Sequence, residues 1–405
     1  MINTKLELPC GVTLNNRLVK SAMTERISNR KFEPIKGHER IYEAWSETGA
    51  GLLITGNVMI DRTHLESAGN VCFDDEGMIP KLEKWAAAGK KDGNHIWVQI
   101  SHAGRQANKF STLRPMAPSE VQLKKIGMFG KPKAMSETDI GQIIKGFTKA
   151  AKIAKAAGFT GIQIHAAHGY LISQFLSPLT NKRTDKWGGD IINRSRLLLT
   201  IIRETRSIVG PEFPISVKLN SSDFQRGGFT EEESLEVVKM LDNEKIDLLE
   251  ISGGTYEKVA FFLMNEDRAK KSTLEREAYF IDFAKKIRAI SNVPLLVTGG
   301  FRSYEFCNEV LESGELDLIG MARPFITNNE DIDKFLKGEV PSLDNLILRT
   351  GISQFDDAAE AGFYARQLIR MSKGKKLKLD MSPFMCSNFL ILYELKKSIS
   401  KKLSP

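Results

Sequence analysis

Two histidines and a tyrosine fall within the short run His165-Ala166-Ala167-His168-Gly169-Tyr170. The run follows a strand-like stretch, Gly161–Ile164, and opens a loop, so both imidazoles and the phenol stand at a strand's C-terminal end. Two such donors can hold a carbonyl oxygen while a phenol supplies a proton, which suits the binding and protonation of a carbonyl compound. The alternative is a pair of ordinary loop histidines. Metal binding would need a further ligand, and the other imidazoles (His38, His64, His95 and His102) offer none at metal-like spacing beside the pair. No metal is expected.

Such groups need a scaffold that brings several strand ends to one side. Eight short apolar runs alternate with helical patterns: Leu18–Met23, Gly51–Asn57, Ile96–His102, Gly161–His165, Pro214–Leu219, Asp247–Ser252, Pro294–Thr298 and Asp317–Met321. Their buried rather than alternating character argues for a parallel sheet. Eight is the count that closes a (β/α)8 TIM barrel, whose chemistry sits at the C-terminal strand ends. Helices are predicted at Ser136–Ala157, capped by Ser136 and ended by Gly158, and at Arg196–Val209, Glu231–Leu241, Glu275–Ile290 and Tyr304–Glu312. The stretch Leu6–Leu14 reads as a hairpin plugging the barrel bottom. Two long connections, Ala103–Met135 and Gly253–Leu274, follow strand C-termini, where long loops are usually functional. The expected division is a catalytic barrel over 1–340 and a helical, basic extension over 341–405, with a helix around Ile352–Ser372.

The chain of 405 residues has room for a large core. No apolar run approaches the roughly 20 residues of a membrane span, and the start, Met1–Glu7, carries no apolar signal segment. Cys10, Cys72, Cys307 and Cys386 are scattered without a Cys-x-x-Cys pair, against a zinc site, an iron–sulfur cluster or a disulfide framework. A cytoplasmic protein is expected. The net charge of +8 could suggest nucleic acid, but residues 366–405 hold ten Lys or Arg against two acids, leaving the rest neutral. The excess is read as a solvated basic helix face, the alternative being attraction to a membrane surface through Phe389–Tyr393 and Lys396-Lys397. Neither nucleic acid nor membrane is an expected partner; oligomerisation is left open.

The other strand ends carry further chemistry. Lys218 closes Ile215-Ser216-Val217-Lys218, and a Lys ending an apolar strand is costly unless it meets an anion. It either faces a cofactor or intermediate that becomes negative, or pairs with a local carboxylate. Gln99 would point an amide into the barrel top, toward a heterocycle edge or another core group. Strands seven and eight end in Thr298-Gly299-Gly300-Phe301-Arg302 and Gly320-Met321-Ala322-Arg323. A glycine pair next to a small residue and an Arg fits the phosphate site common at this place in such barrels.

These residues resemble the Old Yellow Enzyme family of FMN-dependent oxidoreductases over roughly Leu6 to Asp333. The strongest part is His165–Arg196, HAAHGYLISQFLSPLTNKRTDKWGGDIINRSR. NNRLVKSAMT (Asn15–Thr24), VQISHAGRQA (Val98–Ala107), APSE (Ala117–Glu120), the Thr298–Phe301 turn and the Asp317–Arg323 strand end support it in order and spacing. The resemblance implies FMN at the barrel mouth and NAD(P)H as electron donor. By matching position, Ala22, Met23 and Thr24 line the flavin near N5, Gly56 and Gln99 meet the ring, and Lys218 faces N1/O2. The turn of Gly299 and Gly300, with Ala322 and Arg323, meets the phosphate. His165 and His168 would bind the substrate carbonyl, each stabilising enolate charge by about 3 kcal/mol, and Tyr170 would be the proton donor. The implied reaction is ping-pong reduction of the C=C bond in α,β-unsaturated carbonyl compounds. Lys218 stands where many members carry Arg, Ala22 where Pro is common, and Ala322 where Gly is usual. The four-cysteine cluster and second dinucleotide domain of the 2,4-dienoyl-CoA reductase branch are absent, so electrons would pass directly from the nicotinamide.

Two other classes are compatible with parts of this pattern. A tRNA dihydrouridine synthase-like flavin barrel would want a basic mouth and a catalytic Cys, which the neutral barrel and absent motif oppose. A non-catalytic FMN-binding protein would leave His165, His168 and Tyr170 without a role. Substrate choice is expected to lie in the two long loops, the second with Tyr256, Phe261 and Phe262.

Overall fold

The computed structural model describes residues 1–124, 127–253, 279–344, 346, 348–351 and 353–402. Eight parallel strands close a barrel: β1 (Leu18–Lys20), β2 (Leu52–Ile54), β3 (His95–Ser101), β4 (Gly161–Ala166), β5 (Ile215–Asn220), β6 (Leu248–Ser252), β7 (Leu295–Thr298) and β8 (Leu318–Met321). Each pairs with the next, and β8 returns to β1 through Gly320 opposite Val19. This is the (β/α)8 barrel expected from the eight apolar runs. β1 and β2 are shorter than the sequence predicts. Residues 21–25 leave the ladder to line the mouth, and Gly56, just after β2, packs against Met23 and Glu25, where no Cβ would fit.

Helices α1 (Lys36–Ser46), α2 (Ile79–Gly89), α3 (Glu137–Ala156), α4 (Ile191–Val209), α5 (Glu231–Asn243), α6 (described over 279–288) and α7 (Tyr304–Glu312) ring the barrel. Ser136 caps α3 in a reciprocal box with Asp139, as Thr230 and Glu233 do for α5. α4 starts five residues before its predicted Arg196, because the Asp190 side chain caps it by accepting from the Asn193 N–H. The second long connection beyond Gly253, with Tyr256, Phe261 and Phe262, lies outside the described residues.

Alternating strand residues face inward. In the lower barrel these are Val19, Leu52, Trp97, Leu248, Leu296 and Leu318, closed beneath by Leu8 and Leu14 of the antiparallel hairpin that pairs Leu6–Glu7 with Thr13–Leu14. Residues of the opposite parity, among them Val98, Ile162, Val217, Leu249, Val297 and Ile319, form the larger core under the helices. One step up the inward face the chain turns polar: Ser21, Gln99, Gln163, Lys218, Glu250 and Thr298. The barrel floor is oil and its mouth is chemistry.

The extension keeps an exposed basic face at Lys373, Lys375, Lys376, Lys378 and Lys396, and its other face is docked on the barrel. Two helices, α8 (Ser353–Ser372) and α9 (Pro383–Lys402), lie against each other over a small core of Leu348, Ala359, Phe363, Met381 and Cys386. α8 rests on α1, where the Arg40 guanidinium donates to the Ser372 carbonyl. α9 is pinned to the barrel by Tyr393, Glu394 and Lys397, whose polar atoms all find partners after β1 or β2. Among the described residues no helix is long and apolar enough to cross a membrane. At the α8–α9 crossing a Cβ on Gly362 would overlap the Cys386 carbonyl. Gly362→Val should therefore separate the two helices, costing about 1–3 kcal/mol of overpacking. Limited proteolysis should then cut the α8–α9 connection in the variant first.

Candidate active site

The residues singled out by sequence converge on one end of the barrel. Ala22, Met23 and Thr24 follow β1, Gly56 follows β2, and Gln99 and Lys218 stand in the C-terminal halves of β3 and β5. His165, His168 and Tyr170 belong to β4 and its loop, Gly299 and Gly300 follow β7, and Ala322 and Arg323 follow β8. Only β6 lacked a predicted member. It supplies two residues that sequence reasoning missed, Glu250 and Ser252.

The three β4 residues are ring neighbours. His165 lies 5.1 Å from His168 and 4.8 Å from Tyr170 between ring centroids, both edge-on. The Ala167 N–H donates to His165 Nδ1 at 3.2 Å, which leaves the His165 proton on Nε2. His168 adopts a left-handed backbone, φ 60°, unusual for a side chain this large. The Asn220 side chain accepts its N–H at 3.1 Å and Gln106 donates to its carbonyl at 2.8 Å, so both peptide groups of the strained residue are held. His168 Nε2 meets the Ser252 hydroxyl at 2.6 Å. Burial, with the nearby Lys218 charge adding to it, holds His168 down to about 3 and His165 well below the ordinary imidazole range. Both rings are neutral donors rather than cations.

Beneath them runs a buried network. Lys218 donates to Glu250 Oε1 at 2.8 Å, and Thr298 Oγ1 reaches the same oxygen at 2.6 Å. Gln163 donates to Glu250 Oε2 at 2.8 Å, Gln99 donates to Gln163 at 2.8 Å, and Ser21 meets Thr298 at 2.7 Å. Of the two readings of Lys218, the local carboxylate partner is present in the structure, because register places Glu250 directly opposite it. Gln99 likewise spends an amide N–H on another core amide. A sequence signal existed: Glu250 is a lone carboxylate at an inward position of an apolar strand.

At the far side of the mouth, Gly299 and Gly300 have φ of 108° and 89°, and a Cβ on Gly299 would meet nothing within 4 Å. The backbone at Gly299 therefore borders open space, and Arg323, after the neighbouring strand β8, has a side chain 45% exposed that lies 3.2 Å from Glu360 of α8. Glu25, also missed, accepts from the Gly56 N–H at 2.9 Å and from the Tyr42 hydroxyl. Lys20 lies under this group, 4.1 Å above the Trp45 ring and donating to the Ile54 carbonyl at 2.7 Å; burial pulls its pKa to about 7.

Asp61, His64 and His102 bring ligand-type atoms within 4.8 Å of one another. Their hydrogen bonds argue against a ligand set. The Met116 N–H donates to His64 Nε2 at 3.0 Å and the Gly104 N–H to His102 Nδ1 at 3.1 Å. Each imidazole proton is thereby placed on the nitrogen facing Asp61, at 2.6 Å for His64 and 3.7 Å for His102. A cation would have to reverse both tautomers.

Two measurements follow from these groups. Glu250→Leu leaves Lys218 buried without its partner and should cost about 3–5 kcal/mol in urea unfolding. A double variant that also makes Lys218 apolar should recover part of that loss. Burial holds His38 and His168 at about 3 and His102 at about 4, whereas unfolded imidazoles titrate near 6.5. The unfolded chain therefore takes up protons as pH falls below about 6.5, and the folded one does not. Each such residue should remove about 1.4 kcal/mol of stability per pH unit down to its folded value. Urea midpoints at pH 7 and pH 5 should differ accordingly, and a flat profile would mean the folded imidazoles carry charge.

Comparison with known proteins bears on the same residues. Residues 8–339 match the family model of the NADH:flavin oxidoreductase / NADH oxidase family. The NADH-dependent flavin oxidoreductase iccE of Talaromyces variabilis is 35% identical over 344 residues, 80% of this chain and 83% of its own. The NADH-dependent flavin oxidoreductase nadA of Aspergillus parasiticus is 37% identical over 343 residues, 80% of this chain and 76% of its own. Among solved structures, the old yellow enzyme homologue from Zymomonas mobilis superimposes with a TM-score of 0.71 over 85% of this chain and 95% of its own, at 24% identity. The chain belongs to the NADH:flavin oxidoreductase / NADH oxidase family, the Old Yellow Enzymes, and is an FMN-dependent NAD(P)H oxidoreductase.

Proposed function

We propose that the protein is an ene reductase, taking hydride from NAD(P)H and reducing the C=C bond of α,β-unsaturated carbonyl compounds. The carrying observation is the pair of neutral, buried imidazoles edge-on to one another beside Tyr170. Residues 1–340 carry the catalysis, and 341–405 are its helical extension. Bound FMN would supply the hydride-transfer chemistry between the nicotinamide and the alkene.

The residues present suit that cofactor. Gly299, Gly300, Ala322 and Arg323 would hold its phosphate, since the Gly299 backbone borders open space and the Arg323 side chain, after the neighbouring strand, is exposed. Ala22, Met23, Thr24 and Gly56 would wall the ring, with the glycine cradle leaving no room for a side chain at 56. Gln99 and Lys218 would lie under it, Lys218 acting from within its pair with Glu250.

On the substrate side, His165 presents its Nε2 proton to the carbonyl oxygen. In the tautomer this role requires, His168 accepts from the Ser252 hydroxyl at Nε2 and carries the second proton on Nδ1. Charge that develops on the oxygen then meets two donors that burial has kept neutral, at about 3 kcal/mol each. Tyr170 gives its phenolic proton to the α-carbon and recovers one from solvent.

Purified protein should be yellow and should bleach on anaerobic addition of NADH or NADPH. Tyr170→Phe should slow oxidation by enones by about 10²- to 10⁴-fold and leave reduction by NAD(P)H nearly unchanged, as stopped-flow absorbance would record. Replacing both His165 and His168 with Ala should weaken binding of phenols, which resemble the enolate. Unchanged phenol affinity would remove the two imidazoles from the carbonyl site.

A further inference from the structure

The family match ends at residue 339, yet the extension beyond it reaches the mouth of the barrel. Glu394 of α9 accepts from Arg26 Nη1 at 2.8 Å, from the Ser67 hydroxyl, and from the Ala68 N–H at 2.8 Å. Arg26 turns its other nitrogen to Glu66 at 3.0 Å, and Glu66 accepts from the Thr24 hydroxyl at 3.1 Å. Arg26 has a left-handed backbone, φ 63°, and its carbonyl accepts from Tyr393 Oη at 2.7 Å and Lys397 Nζ at 3.0 Å. The chain Glu394–Arg26–Glu66–Thr24 is mostly shielded, with side-chain exposures of 14%, 19% and 6% for Glu394, Arg26 and Glu66. Salt therefore screens it little. After the neighbouring strand β8, Glu360 of α8 pairs with Arg323.

We propose that the extension is a built-in positioning element for the flavin pocket, and that Glu394 is its positioning residue, holding the Met23–Arg26 segment from outside the barrel. The inference rests on the assignment of residues 22–24 to the flavin wall. A helix that served only as a brace would need none of its carboxylate's three donors to lead toward Thr24. The polar chain instead ends on the side chain that the flavin wall would present.

The test compares wild type, Glu394→Gln and Ser67→Ala by FMN titration of the apoprotein, followed by flavin fluorescence quenching. Hydrogen exchange over residues 22–28 and the absorption band of bound flavin are recorded on the same samples. Losing a charged acceptor should raise the FMN Kd of Glu394→Gln about tenfold or more. It should also change the flavin band and speed exchange at 22–28. Ser67→Ala should fall between the two and decides the question if Glu394→Gln does not fold. In a Thr24→Val background, Glu394→Gln should do less than it does alone. A lowered unfolding midpoint with unchanged Kd, band and exchange would reduce the extension to a brace and overturn the proposal. If wild type itself takes up no FMN, the assignment of the pocket fails instead. Unchanged exchange at 22–28 in Glu394→Gln would still refute the positioning role.

Discussion

The ion pair between Lys218 and Glu250 sits at the level where the barrel changes from floor to mouth, and what lies above depends on it. Two opposite charges in a protein core are tolerable only when the remaining lone pairs and protons are also satisfied. Here both Glu250 oxygens are used, by Lys218 and Thr298 on one side and Gln163 on the other. Gln99 and Ser21 extend the network, which thus ties β3, β4, β5, β6 and β7 to the segment that follows β1. The same Lys218 charge adds to burial in keeping His165 and His168 neutral. One pair therefore ties the strand ends together and adds its cation to the burial that keeps the groups above them neutral.

Much of this was readable because strand residues alternate. Met23, Gly56, Gln99, His165, Lys218, Gly300 and Ala322 all share the inward phase of their strands or of the residues just past them. An apolar run with one polar residue in phase near its end nominates Gln99, His165 and Lys218, whereas Met23, Gly56 and Ala322 come from the family resemblance and Gly300 from the glycine turn. Glu250 has the same signature, but a single carboxylate in a run names no partner. Only barrel closure, which sets Lys218 opposite Glu250, creates the pair. The Asp61, His64 and His102 group is similarly invisible, since it joins a loop after β2 to the end of β3.

The docking of the extension was not legible for a different reason. Composition reports how many lysines a segment carries but not which side of a helix they occupy. In α9 the inner face holds Glu394, Tyr393 and Lys397 against the barrel, while Lys396 faces outward. An average over the segment hides the one carboxylate and one phenol that bind it. Burial lowers the Lys397 pKa to about 8, which marks that lysine as part of the interface rather than of the solvated charge.

Arg26 shows what the docked helix contributes physically. A non-glycine residue in the left-handed region carries a conformational cost of about 1–2 kcal/mol and persists where its surroundings over-determine it. Here the carbonyl is held by Tyr393 and Lys397, and the guanidinium by Glu66 and Glu394; the adjacent Gly69 leaves room for the peptide to pass. Three of those four holds come from α9. Without the helix, the Arg26 carbonyl would lose both of these donors and Glu66 would keep a cation free to swing. The segment carrying Ala22, Met23 and Thr24 would then keep its β1 end, Glu25 and the Glu66 contacts of Thr24 and Arg26, but would lose the three holds from α9. The geometry of the mouth is thus set from two sides, by a buried charge pair below and by a carboxylate on an added helix outside.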